Sequence, residues 1–274
     1  MANLHQLKKQ IIDIGKLTYN RGFVAANDGN ISARLDDNRI VITPTGVSKG
    51  ALSPETLVIC DMSGKALSSE GKPSSEILMH LKVYQLRKDI FGIVHAHPPY
   101  ATAFGIAGIP LSQAVLPEVI MTLGAIPLVK YGTPGTQALS EPLTDFLPNH
   151  DAFILQNHGA LAIGKDLQTA YFRMETLEHF AHIAFVSYLL GKIHTLPDEE
   201  VKKLLQMRAK SGFTGEFQPV TCEDQKEACA ILEPGATLVG HPSENTSTSK
   251  SSDSVTYSAI QSIVADIIDS YLKK

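Results

Sequence analysis

The stretch Phe91-Gly-Ile-Val-His-Ala-His-Pro-Pro-Tyr-Ala-Thr102 constrains this chain more than any other. Its first half has the apolar character of a strand. Pro98-Pro99 then stops that strand at once, because proline has no amide hydrogen to extend a ladder. The strand must therefore end at a sheet edge or mouth where a ligand can enter. Residues two apart on a strand point to the same face, so His95 and His97 offer both imidazoles to one point. That is a start on a catalytic zinc site, which takes three protein ligands and keeps a position open. The same spacing also describes two surface histidines on an exposed strand.

The remaining periodicities surround this strand with both element types. Leu4, Leu7, Ile11, Ile14 and Leu17 recur at helical spacing, which predicts a helix over Leu4 to Arg21. Asn27-Asp28-Gly29-Asn30 supplies turn chemistry, and short strands are predicted at Arg39–Thr43 and Leu57–Asp61. Pro73 opens a predicted helix with Ile77, Leu78, Leu81, Tyr84 and Leu86 on its apolar side. Strands follow at Ile126–Lys130 and Ala152–Gln156, then a long helix from about Leu167 to Leu190 and a shorter one over Glu200–Lys210. The alternation is irregular, without a strict βαβ rhythm, and implies an α+β or layered αβα domain.

Composition sets limits on partners and compartment. The 274 residues carry 24 Lys+Arg against 28 Asp+Glu, a net charge of −4, with no basic patch for a nucleic acid. No apolar run reaches the length of a membrane span. The opening residues pass directly into an amphipathic pattern rather than a signal peptide. Cys60, Cys222 and Cys229 make no disulfide framework. A soluble, cytoplasmic protein without membrane or nucleic-acid partners is expected.

The end of the chain differs in kind. Ser243 to Ser254 holds six serines and two threonines in twelve residues, a linker composition. From Val255 to Lys274, Ile260, Ile263, Val264, Ile267, Ile268, Tyr271 and Leu272 form one apolar helical face. Such a stripe must find a partner surface, either a foreign one or that of its own protein.

Other candidate site residues sit at element ends. His158, in Gln156-Asn157-His158-Gly159, closes a predicted buried strand and is a candidate third ligand or a loop histidine bonded to backbone. His80, His179 and His182 fall on helix faces and read as packing or surface residues. Glu76 follows Pro73-Ser74-Ser75 at a helix start, where a carboxylate complements the helix dipole or serves as a base beside a cation. The donors around Ser74 and Ser75 suit an anion such as phosphate. Asp28–Ser32 and Thr43-Pro44-Thr45-Gly46 are two further corners rich in donors.

Together Gly29-Asn30-Ile31-Ser32, Thr43-Pro44-Thr45-Gly46, Ser74-Ser75-Glu76, His95-Ala96-His97-Pro98-Pro99-Tyr100-Ala101-Thr102 and His158-Gly159 occur in the order seen in class II aldolases. Over residues 4 to 195 the chain resembles the family of fuculose-1-phosphate aldolase and the adducin head. The resemblance implies a three-layer αβα domain around a mostly antiparallel sheet, assembled as a homotetramer with active sites between subunits. It implies one Zn²⁺ per subunit on His95, His97 and His158, with Glu76 as acid/base and fourth ligand at rest. It places the substrate phosphate on Gly29, Asn30, Thr45, Gly46, Ser74 and Ser75. The reaction implied is reversible aldol cleavage of a ketose 1-phosphate to dihydroxyacetone phosphate and an aldehyde such as lactaldehyde.

Leu116-Pro117-Glu118-Val119-Ile120-Met121 lacks the tyrosine by which the family assists protonation from a neighbouring subunit, so Glu118 is either the second acid/base or a surface or interface charge. Pentulose-5-phosphate 4-epimerases and methylthioribulose-type dehydratases share the scaffold, and adducin-like heads use it without catalysis. The expected organisation is a catalytic domain over 1–196, an extension of unassigned role over 197–242, a linker over 243–254 and a helical tail over 255–274. The linker and tail resemble the encapsulation peptides that carry enzymes to bacterial microcompartment shell proteins.

Overall fold

The computed structural model describes residues 3–67, 71–191 and 193–211. The linker, the amphipathic tail, Cys222 and Cys229 lie outside the described residues. The chain divides into two compact units, the first holding Met1–His182 and Leu196–Pro219. Residues 183–191 and 193–195, the described part of the second unit, are the end of a long helix and the stretch after it.

The first unit opens with helix α1 (Leu4–Asn20), whose Asn3 side chain caps it by accepting from the His5 amide. Strands β1 (Asn30–Arg34), β2 (Arg39–Ile42) and β3 (Val58–Asp61) follow, then helix α2 (Ile77–Leu86) and strand β4 (Gly92–Ala96). Helices α3 (Pro99–Ala107) and α4 (Pro117–Thr122) precede strand β5 (Leu128–Val129) and the short helix α5 (Gln137–Ser140). Strands β6 (Ala152–Leu155) and β7 (Gly159–Gly164) complete the sheet before helices α6 (Leu167–Leu189) and α7 (Asp198–Lys210).

The seven strands run in the order β3-β2-β1-β4-β7-β6-β5. Every pair is antiparallel except β5 with β6. One face packs Ile40, Ile42, Ile93, Phe153, Leu155, Leu161 and Ile163 against Ile77, Met79, Leu81, Val83 and Tyr84 of α2. Ile154 points the other way and meets Gly105 of α3. The domain is thus a mixed α/β fold with helices flanking a mostly antiparallel sheet, as the sequence implied.

Four elements differ from the sequence expectation. Asn30 falls in a predicted turn, yet it begins β1 and pairs with His95 of β4. Pro98-Pro99 ends β4 but also starts α3, because a proline in the first helical turn loses no hydrogen bond. The α3 amides of Tyr100 and Ala101 donate to the Glu178 carboxylate at 3.0 and 2.9 Å, so a side chain of α6 supplies the cap that Pro98 cannot. Strand β7 follows His158 after a left-handed corner at Asn157 (φ 53°). The predicted Ile126–Lys130 strand shrinks to Leu128–Val129, since Pro127 supplies a carbonyl but no amide hydrogen.

Candidate metal centre and active site

Strand register brings the histidines together. β4 lies between β1 and β7, with Asn30 opposite His95 and Ala96 opposite Ala160. His95 is two residues beyond Ile93 and shares the face that α2 covers. His158 stands at the corner leading into β7, next to the end of β4, where His97 leaves the ladder. The ligand atoms offered by His95, His97 and His158 all lie within 4.8 Å of one another.

Glycines make this convergence sterically feasible. A Cβ on Gly159 would sit 2.5 Å from the Ala96 carbonyl oxygen and 2.6 Å from His97 Cδ2. Gly29 has φ +71°, and a Cβ there would meet the His95 carbonyl oxygen at 2.7 Å.

The donor chemistry of the cluster fits a cation. His95 Nδ1 lies 2.9 Å from the Ala160 carbonyl oxygen, which only an N–H can satisfy. In the neutral ring Nε2 is then a lone pair, and it lies 3.1 Å from Glu76 Oε2 and 3.2 Å from His97 Nε2. Glu76 Oε1 lies 3.1 Å from His158 Nε2. Lone pairs and a carboxylate directed at one point repel unless a positive charge sits among them. A carbonyl acceptor behind a ligating imidazole also fixes the tautomer that ligation needs. Without a cation, burial raises the Glu76 pKa, but positive charge on His95 and His158 outweighs it and holds the carboxyl well below its ordinary value. Burial, reinforced by His95 and His158, brings His97 down to about 3, so its imidazole is neutral at physiological pH.

The donor-rich corners gather beside the cluster. The Ser74 amide donates to the Thr43 carbonyl at 3.1 Å, and the Thr45 amide to the Lys72 carbonyl at 3.1 Å. This aligns Thr45-Gly46 with Ser74-Ser75. Lys49 Nζ donates to the Asn27 and Val47 carbonyls at 2.8 and 2.7 Å, tying the Asp28-Gly29 corner to the same place. Nothing in the sequence singles out Lys49. It is 1% exposed, and burial lowers its pKa to about 8 against the opposing pull of Asp28. A lone lysine after a Ser looks like a surface residue, and only the fold reveals its enclosure.

Two expected site residues sit differently. Asn30, expected at the phosphate, turns its amide to Glu76 Oε2 at 2.8 Å and to His80. His80, expected in packing or at the surface, is wholly buried in that network. Glu118 is exposed in the first turn of α4. Apart from the cluster, a cavity of about 550 Å³ is lined by Arg21, Tyr100, Glu175, Glu178 and His182 among others, with Tyr100 stacked on His182 at 3.9 Å.

Three convergent imidazoles beside a carboxylate at the end of a sheet form a group that could hold a metal ion. Residues 9–185 match the model of the Class II Aldolase and Adducin N-terminal domain, and the chain belongs to that family. It is 38% identical to 3-oxo-tetronate 4-phosphate decarboxylase of Haemophilus influenzae over 74% of this chain and 98% of that protein. It is 40% identical to L-fuculose phosphate aldolase of Methanococcus maripaludis over 65% of this chain and 95% of that protein. The crystal structure of L-fuculose-1-phosphate aldolase from Thermus thermophilus superposes with a TM-score of 0.62 at 30% identity, covering 70% of this chain and all (100%) of that one. No helix among the described residues is long and apolar enough to cross a membrane.

Proposed function

We propose that this protein is a zinc-dependent carbon–carbon lyase that releases dihydroxyacetone phosphate from a phosphorylated keto substrate. The observation that carries the reading is the Glu76 carboxylate, 3.1 Å from both His95 Nε2 and His158 Nε2. One Zn²⁺ per subunit, held by His95, His97 and His158, supplies Lewis acidity toward adjacent carbonyl and hydroxyl oxygens. At rest Glu76 serves as the fourth ligand. In the cleavage direction Glu76 delivers a proton to the carbon that loses its bond, and in synthesis it removes that proton. Gly29, Thr45, Gly46, Ser74 and Ser75 offer neutral donors to the phosphate, with Asn30 turned toward Glu76.

Two leaving groups fit this chemistry, and the relatives name one of each. Breaking C3–C4 of a ketose 1-phosphate such as L-fuculose 1-phosphate leaves its electron pair on C3, conjugated with the C2 carbonyl, and expels lactaldehyde. Decarboxylation of 3-oxo-tetronate 4-phosphate leaves the same three-carbon enediolate and expels carbon dioxide. The aldol cleavage alone must also remove a hydroxyl proton. Glu118, reaching a neighbouring subunit's site in a homotetramer, is the group we assign to that step. The terminal apolar stripe is assigned to microcompartment shell proteins, a setting suited to a reactive aldehyde product.

The test is dihydroxyacetone phosphate formation from both substrates by zinc-loaded protein, with and without a chelator. Chelation should abolish it and Zn²⁺ restore it, and His95→Ala should lose both metal and activity. Glu118→Gln should slow aldol cleavage while sparing decarboxylation. Chelator-resistant turnover, or no turnover of either substrate, would sink the proposal.

A further inference from the structure

Beneath Glu76 the sequence carries two matched polar periods. On β1, Asn30, Ser32 and Arg34 alternate with Ile31 and Ala33, so all three face α2. Glu76, His80 and Tyr84 recur every four residues, on one side of α2 and the residue before it. Two strand residues advance roughly 6.6 Å and four helix residues roughly 6 Å, so the two rows stay in step. They meet as a zipper. Asn30 reaches Glu76 and His80, Ser32 reaches His80 and Tyr84, and Arg34 stacks on the Tyr84 ring at 4.7 Å. Asn30, Ser32, His80 and Tyr84 are all at most 3% exposed.

The hydrogens in this row have one consistent arrangement. The Glu76 carboxylate only accepts, so Asn30 presents Nδ2 to it and leaves Oδ1 for His80. An amide oxygen also only accepts, so His80 carries its hydrogen on Nε2. In the neutral ring Nδ1 is then the acceptor, and Ser32 Oγ donates to it at 2.6 Å. Ser32 has spent its one hydrogen, so Tyr84 O–H donates to Ser32 Oγ at 2.9 Å. Every donor points toward the carboxylate. The guanidinium of Arg34 anchors the far end by donating to the Tyr84 and Ile90 carbonyls at 2.7 and 3.1 Å.

We propose that this buried chain, Tyr84 to Ser32 to His80 to Asn30, is a positioning device that fixes the rotamer of Glu76 and polarises the hydrogen bond at its Oε2. His80 acts through Asn30, without touching substrate. The inference rests on the reading of Glu76 as the acid/base, and its consequence is specific. With Oε2 held by Asn30, Oε1 is the oxygen that swings between the cation and the substrate carbon. Removing His80 leaves Asn30 Oδ1 without its donor, so the amide is held only through its Nδ2 bond to the carboxylate and no longer fixes Glu76 as firmly.

The test is exchange of the dihydroxyacetone phosphate α-proton in deuterium oxide, followed by proton NMR on zinc-saturated protein. His80→Leu should lower the exchange kcat by about 10- to 100-fold, the range for groups that orient a metal site, with KM within about twofold. His80→Gln keeps both a donor and an acceptor at this place and should recover at least about fivefold of that loss. Equal circular dichroism and zinc content make the comparison valid. Exchange by folded His80→Leu within twofold of the parent, or no recovery in His80→Gln, overturns the proposal. A measurement on the unaltered protein decides it even where the leucine variant does not fold. Nitrogen-15 histidine NMR should show His80 as the Nε2–H tautomer, and an Nδ1–H tautomer overturns the chain. A parent protein that exchanges no α-proton refutes the lyase reading, while the tautomer still judges the chain on its own.

Discussion

At the scale of single residues the site separates groups that carry charge from groups that make room for it. Glu76→Gln keeps the size of the side chain and removes its proton chemistry. It should lower kcat by about 10²- to 10⁴-fold, the usual contribution of a general acid/base, with zinc still bound by the three histidines. Stopped-flow or coupled assays for kcat, with metal analysis of the same sample, check both halves of that statement. Gly159→Ala tests the space. Its Cβ would lie 2.5 Å from the Ala96 carbonyl oxygen and 2.6 Å from His97 Cδ2. The His97 ring must then move, and zinc affinity should fall by about 10- to 100-fold in a competitive chelator titration, as when a ligand's support is lost. The histidines, Glu76 and the donor-rich corners are all legible in the sequence because strand spacing, proline stops and motif order mark them. Lys49 and His80 are not. Their role comes from burial, and neither a lone lysine nor a histidine on a helix announces that it will be enclosed.

Among the elements, α2 and β1 show where sequence periodicity stops being informative. It places Ile77, Leu78, Leu81, Tyr84 and Leu86 on the apolar side of α2, of which Leu86 is in fact exposed, and reads His80 as a packing or surface residue. In the fold His80 is buried, since β1 carries its own buried polar row to meet it. A strand that looks like a turn cannot reveal that match. This packing has a pH signature. Burial, with His95 nearby, lowers His80 to about 3, whereas an unfolded chain has histidine near roughly 6.5. Between those values the unfolded state binds more protons, so stability rises with pH and is lost as pH falls through the window. The drop in Tm from pH 7 to pH 5 should therefore be smaller in His80→Gln than in the parent, as thermal melts at saturating zinc will show. On the same sheet, Asp151 at the start of β6 binds Arg173 Nη2 of α6 at 2.8 Å and Arg87 Nη2 at 3.1 Å, with the carboxylate 3% exposed. Asp151→Ala leaves Arg173 buried without its counter-ion, although Nη1 still donates to the Ile163 carbonyl. About 3–5 kcal/mol of stability should be lost, read by denaturant titration, the usual result of breaking a buried pair from one side.

For the whole molecule, the family match ends at residue 185 and the relatives cover 65 to 74% of the chain. The candidate site residues all lie well before that limit, from Gly29 to His158. The segment from Ser243 onward has the composition of a tether and then one continuous apolar stripe, Ile260 to Leu272, opposed by Gln261, Ser262, Asp266 and Asp269. A stripe of that kind is stable only against another apolar surface, and a membrane is disfavoured because the polar side is acidic rather than basic. Deleting Val255–Lys274 separates the two remaining partners. If the stripe docks on shell proteins, the truncated enzyme keeps its kcat/KM within about twofold and its oligomeric state, since no interaction made in the transition state is removed, and it no longer co-sediments with purified shells. If instead the stripe docks on its own assembly, the same deletion changes the mass seen by light scattering or lowers Tm, while co-sedimentation stays as it was.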